Sequence, residues 1–350
     1  MFQRRRSAAA VLNPMSRSRP TRATLAAALL LAIALPGAAE ASPALLQNPG
    51  SAAAIRDYWT KDRMREARPL APPAPPATLA GPAEPAGAPS YVAPAAPGRS
   101  STPRLRSGVT ARGAIAGRGA VAVADPAASD VRAHGKVFFT VTKGNAPGDY
   151  VCSGTAVNSR NRSLVWTAGH CVFDHHDRGG RVVNFAFVPA YDRGETPYGT
   201  WPARKLATTG RWRRDGNLRF DVGAAIVRRR DGIALQAVVG ARGIGFDQPR
   251  RRDYSVFGYP AIDPFDGERE YRCDSRYRGA DLPGGPGPKT MSLGCDMTRG
   301  ASGGGWIAGG TLLSVTSYGY KSAPGKLFGP YMSRTAKRLY KRVRGAAVRR

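Results

Sequence analysis

The chain has 350 residues and carries 53 Lys and Arg against 24 Asp and Glu, a formal net charge of +29 at pH 7. Its longest apolar run, Leu25–Leu35, is too short to cross a bilayer, which argues against an integral membrane protein. The basic residues form no aromatic-interleaved groove and no nucleic-acid-binding motif, so no specific nucleic-acid partner is expected.

Residues 1–41 have the pattern of an export signal: arginines first, then the apolar run, then Pro36-Gly37 and a small-x-small site at Ala39-Glu40-Ala41. Met15 would start a signal of more usual length than Met1 does. Removing six arginines and Glu40 takes +5 from +29 and leaves +24, enough for non-specific attraction to anionic surfaces. The four cysteines, Cys152, Cys171, Cys273 and Cys295, fall in two sequence-local pairs, which in an oxidising compartment read as disulfides. A zinc site using Cys171 with His170, His175 and His176 competes with that reading, but it lacks C-x-x-C or H-x-x-x-H spacing.

Residues 42–130 are rich in Pro, Ala and Gly and poor in large apolar residues. Such a stretch buries too little surface to offset its ordering entropy, so it is expected as a disordered pro-segment or linker, with room for a short helix over Ala52–Arg68. From 131 onward, short runs of β-branched and aromatic residues alternate with Gly, Pro, Asn and Asp. They include Lys136-Val-Phe-Phe-Thr-Val-Thr, Val151-Cys-Ser-Gly-Thr-Ala-Val, Val182-Val-Asn-Phe-Ala-Phe-Val and Leu312–Tyr318. Many short strands between turns predict an all-β sandwich or barrel, in which closure removes exposed edges. Only the end reads as helix: over 333–348, Ser333 stands at the cap, Ala336, Leu339, Tyr340 and Val343 share a face, and Lys and Arg suit the C-terminal dipole.

The segment Gly294–Trp306 carries the strongest chemical signal. A serine hydroxyl becomes a nucleophile when a base takes its proton and donors hold the oxyanion that forms. Around Ser302, small residues clear the approach, and Gly300 can take dihedrals that turn its N–H toward the same point as that of Ser302. All four histidines precede the serine, the last being His176, so the nucleophile-elbow order of serine before histidine is impossible here. The order aspartate–histidine–serine stays formally open, although the strand-rich pattern does not resemble the α/β domain that carries it, and the order histidine–aspartate–serine offers a good candidate for each role. His170 follows a strand ending at Thr167, and a bond from Cys171 to Cys152 would pin its turn. Asp221 opens the apolar stretch Val222-Gly-Ala-Ala-Ile-Val, where a buried carboxylate requires partners and an imidazole N–H is a fitting one.

Thr167-Ala-Gly-His-Cys, Phe220-Asp-Val-Gly-Ala-Ala and Gly300-Ala-Ser-Gly-Gly, in that order, resemble the three signatures of the chymotrypsin/trypsin-like serine proteases. Cys295-Asp296, Phe257-Gly-Tyr-Pro-Ala and Ala301 look most like the bacterial secreted branch that includes glutamyl endopeptidases. Ala301 stands where animal trypsins carry the aspartate that pairs with a freed N-terminus, which puts that activation route in doubt. The resemblance implies two six-stranded antiparallel β-barrels, at about 131–240 and 250–332, closed by the C-terminal helix. It also implies a triad of His170, Asp221 and Ser302, and an oxyanion hole from the N–H groups of Gly300 and Ser302. Ser317, Tyr318 and Gly319 would pair with the substrate backbone, with Ser317 also bonding Asp221, and Cys273–Cys295 would brace the loop before the serine. Asp296 falls where trypsins place a pocket acid, and Thr316 where glutamyl endopeptidases place a pocket histidine, so basic preference is a hypothesis and glutamate preference is unsupported. The expectation is a secreted, monomeric serine endopeptidase acting on polypeptides, with no metal or organic cofactor. A catalytically silent domain binding anionic cell envelope, or an esterase using the same triad, are the alternatives.

Overall fold

The structure is a computed structural model and describes residues 43–70, 87–97, 119–144, 146–175 and 182–348. The export signal expected at 1–41, and His176, lie outside these residues. In chain order come β1 (Leu45–Gln47), helices α1 (Ala52–Tyr58) and α2 (Lys61–Glu66), then β2 (Arg68–Pro69), β3 (Ser90–Val92) and β4 (Val121–Ala122). Next are β5 (His134–Val141), β6 (Gly148–Val157), β7 (Leu164–Thr167), β8 (Val182–Pro189), β9 (Trp201–Thr208) and β10 (Gly223–Val227). Helix α3 (Gly210–Asp215) and a 3-10 turn, Leu218–Phe220, separate β9 from β10. Then follow α4 (Leu235–Val239), β11 (Gly243–Phe246), β12 (Asp253–Gly258), β13 (Tyr271–Asp281) and β14 (Thr290–Gly294). The chain finishes with β15 (Gly305–Ala308), β16 (Thr311–Val315), β17 (Lys326–Gly329) and α5 (Arg334–Val343).

The first sheet runs β9-β10-β7-β6-β5-β8, and β8 pairs back onto β9, closing a six-stranded barrel. The second runs β17-β14-β13-β12-β15-β16-β11. Closure works because the strands present bulk inward: Phe139, Trp166, Phe185, Phe187 and Trp201 are all essentially inaccessible to solvent. The two sheets meet where β12 packs against β5 and β6. There the His134 ring stacks on Phe257 with centroids 4.0 Å apart, and Arg242 Nε lies 3.1 Å from His134 Nε2. Burial, with Arg242 and Arg272 nearby, holds His134 well below its usual pKa.

Strands β9, β11 and β13 are absent from the runs read in the sequence. In β13 the alternation is of arginines and other polar groups with half-buried positions, so its apolar signal is weak. Helix α5 ends at Val343 rather than near 348, and Ser333 makes no side-chain cap bond. The end is fixed from outside, because Asn161 Nδ2 donates to the Val343 carbonyl at 3.0 Å. The 52–68 stretch, read as having room for one short helix, holds two, α1 and α2, while α3 and α4 stand where none was read.

The larger correction concerns 42–130. Its described residues, 43–70, 87–97 and 119–130, are ordered rather than disordered, and they add strands to both sheets. Ile55, Trp59, Met64 and Ala67 enter a core with Phe138, Val151, Val188 and Tyr191. Composition misleads here because the few large apolar residues are matched to a groove made elsewhere in the chain, so they need no partners from their own neighbourhood.

Candidate active site

Strand β7 ends at Thr167, and the turn that follows sets His170 in the interior, 2% exposed. Three donors converge on the fully buried Asp221 carboxylate. The backbone N–H of His170 reaches Oδ1 at 2.8 Å, His170 Nδ1 lies 2.8 Å from Oδ2, and Ser317 Oγ donates to Oδ2 at 2.5 Å. A carboxylate can only accept, so Nδ1 must carry the hydrogen and the neutral ring presents Nε2 as a bare lone pair. That Nε2 is buried and has no hydrogen-bond partner.

The Ser302 loop is held by β6. Ser153 N–H donates to the Ser302 carbonyl at 2.7 Å, and Ser153 Oγ donates to the Gly300 carbonyl at 2.9 Å. With both carbonyls turned toward Ser153, the N–H groups of Gly300 and Ser302 donate to no group among the described residues. Two glycines make the shape possible. Gly300 has φ +100, and a Cβ there would sit 2.4 Å from the Tyr259 carbonyl. Gly303 has φ +79, and a Cβ there would lie 2.0 Å from Thr167 Oγ1 on the histidine-bearing strand. Its N–H bonds the Thr316 carbonyl at 2.7 Å, tying the loop to β16. A disulfide joins Cys152 of β6 to Cys171 beside the histidine, and a second joins Cys273 to Cys295 ahead of the serine. Their sulfurs, near His170 in one case and Asp296 in the other, are therefore not thiolate ligands for a metal.

The structure divides the remaining expected residues. Ser317 is committed to Asp221, and its N–H bonds the Phe328 carbonyl. Tyr318 is buried, stacked on Phe328 at 5.1 Å, with its hydroxyl bonded to Asp281 and Thr290. Burial and the Asp281 bond push that phenol's pKa up. Gly319 follows the Tyr318↔Phe328 bridge and is exposed. Thr316 is buried, and its Oγ1 accepts from Trp306 Nε1 at 3.0 Å. Asp296, by contrast, is exposed, and its Oδ1 accepts the Ala120 N–H at 2.6 Å.

Ser153 and Trp212 were not singled out in the sequence. Trp212 lies 6.1 Å from the His170 ring and forms a cluster with Leu218, Tyr318 and Phe328. Neither has a local signal. Ser153 next to Cys152 reads as an ordinary strand residue, and Trp212 stands among arginines.

No family model matches the sequence, and no curated protein matches it. Solved structures do. The protease Anisep from Arthrobacter nicotinovorans is 36% identical over 61% of this chain and 96% of its own, with a TM-score of 0.56. The thermostable serine protease AL20 from an extremophilic microorganism is 37% identical over 63% of this chain and all of its own, at 0.58. A Glu endopeptidase in complex with MPD is 16% identical over 65% of this chain and 97% of its own, at 0.52, a likeness of fold alone.

Proposed function

The chain belongs to the chymotrypsin-like serine protease family, and from that premise we propose that it is a secreted endopeptidase using Ser302, His170 and Asp221. The observation that carries the reading is the pairing of His170 Nδ1 with Asp221 at 2.8 Å, which leaves Nε2 without a partner on the side of the ring opposite the carboxylate. In the proposed cycle Ser302 Oγ attacks a peptide carbonyl as Nε2 takes its proton. The Gly300 and Ser302 N–H groups, which donate to no described group, receive the oxyanion. Collapse breaks the C–N bond, and the imidazolium gives its proton to the leaving amine. Water, deprotonated by the same Nε2, then frees the acyl group and restores the serine. Asp221 stays ionised throughout and holds the tautomer.

Ser317–Gly319 is the proposed docking strand for the substrate backbone, supported by the Tyr318↔Phe328 bridge that holds it extended and by the exposure of Gly319. Asp296 lends little support to a basic preference, because it is exposed and already accepts a backbone N–H. Export is supported by two disulfides, which persist in oxidising compartments. No helix among the described residues is long and apolar enough to cross a membrane.

A fluorophosphonate probe should label the folded protein, and Ser302→Ala should abolish both labelling and turnover of a peptide amide. A folded protein that stays unlabelled would point to the silent binding domain, and ester turnover without amide turnover to an esterase. Cleavage profiling with and without Asp296→Asn tests the pocket acid, since an unchanged profile removes Asp296 from substrate recognition.

A further inference from the structure

The first barrel is incomplete without residues that precede it. Strands β8 and β9 pair directly only at Ala186↔Pro202 and Phe187↔Trp201. Beyond that point the seam is bridged by Asn48. Its Nδ2 donates to the Phe185 carbonyl at 3.1 Å and the Ala203 carbonyl at 2.8 Å, and its Oδ1 accepts the Phe185 N–H at 3.1 Å. The side chain is 2% exposed, so one amide stands in for the missing rungs of the ladder. On either side, β1 adds an antiparallel strand to β9 and β2 a parallel one to β6. Between them α1 and α2 lay Ile55, Trp59 and Met64 over Phe138, Val151, Ala186 and Val188. Trp59 Nε1 also donates to the Asn184 carbonyl at 2.6 Å. A second piece, 87–97, extends the other sheet through β3 on β11 and the Ala95↔Ala241 bridge.

The contacts named for these pieces lie on β5, β6, β8, β9 and β11. Among the described residues, no hydrogen bond or ion pair joins 43–70 or 87–97 to His170, Asp221, Ser302 or residues 316–319. The same structure holds the His170–Asp221–Ser317 bonds and the open Gly300 and Ser302 N–H groups in place. A segment that inhibits by occupying a cleft must reach it, and one that inhibits by distortion must leave the site unassembled. Neither condition holds here.

We propose that residues 43–70 are a permanent staple that closes the seam of the first barrel, and that the protein is catalytically competent with them in place. They are then not an inhibitory pro-segment whose loss switches the enzyme on. The competence half rests on the serine-protease reading; the seam half does not. Two measurements on the full chain test it. Intact-mass analysis after fluorophosphonate treatment should find the label on species that retain 43–70, and label confined to species lacking the segment overturns the proposal. Independently of activity, Asn48→Ala should lower Tm by roughly 5 °C, because it strands three buried backbone groups. Trp59→Ala should lower it by roughly 10 °C. The labelling rate of both variants should stay within about twofold of the parent. A several-fold rise in that rate would mean that the segment restrains the site, and an unchanged Tm would mean that it does not close the barrel. Either result refutes the proposal. If no protein labels while both Tm shifts appear, the staple stands and the catalytic reading is what fails.

Discussion

Replacing Asp221 with Asn tests the relay at its least accessible member. The wild-type carboxylate accepts three hydrogen bonds, from His170 N, His170 Nδ1 and Ser317 Oγ, and it donates none. Asparagine keeps the shape but offers one acceptor oxygen and one NH2 donor. Placed toward the His170 backbone N–H, the NH2 meets a donor it cannot pair with. Placed at the Oδ2 position, it faces His170 Nδ1 and forces the ring to accept there, which moves the hydrogen to Nε2. In that tautomer Nε2 has no lone pair for the serine proton. A wrong-tautomer variant of this relay type loses about 10⁴ in kcat, which is about 5.4 kcal/mol of transition-state stabilisation at 1.36 kcal/mol per tenfold. The cost to the fold is smaller, about 2–3 kcal/mol for losing one or two charge-assisted bonds at a buried site. The assay is kcat/KM on a peptide amide at pH 7–8, with Tm and circular dichroism recorded on the same samples. A folded variant keeping more than a tenth of the parent activity would refute the role assigned to Asp221.

Three further outcomes follow from other parts of the site and the inter-sheet core. Gly303→Ala puts a methyl 2.0 Å from Thr167 Oγ1 at φ +79, so Ser302 must shift, and a displacement near 1 Å lowers kcat by about 10² while KM changes little. Steady-state kinetics on the folded variant check this. Removing the Cys152–Cys171 bridge by a double Ala substitution frees a loop of separation 19 and should cost about 3 kcal/mol, read as a fall in Tm of roughly 10 °C. Glu270 is buried with neither carboxylate oxygen partnered, and burial raises its pKa well above the usual value despite nearby Arg242. A folded pKa raised above the unfolded one gives stability that is full below about pH 4.3 and is lost as pH rises through the folded pKa. Glu270→Gln should therefore match the parent in acid, gain on it by about 1.4 kcal/mol per pH unit between about pH 4.3 and the folded pKa, and keep a constant lead above that. Paired Tm–pH curves test it, and a pH-independent gap would remove Glu270 as the cause.

The sequence by itself determined the kind of fold and was enough to propose a reaction chemistry. With every histidine ahead of Ser302, only the histidine–aspartate–serine order fits a strand-rich chain. The residues flanking His170, Asp221 and Ser302 are read locally because each sits in a turn next to a strand, after β7, before β10 and before β15, where side-chain type and turn geometry are set by near neighbours. The paired cysteines are legible for the same reason, their separations being 19 and 22. What only the tertiary structure decided depends on groups brought together from distant strands. Ser153 shapes the serine loop from β6, and Asp296 turns out to hold Ala120, 176 positions away. Residues 43–70 look disordered because Ile55, Trp59 and Met64 are too few to form a core among themselves. Their partners lie on β5, β6 and β8, and no periodicity within the segment encodes a groove that exists only after the barrel has closed.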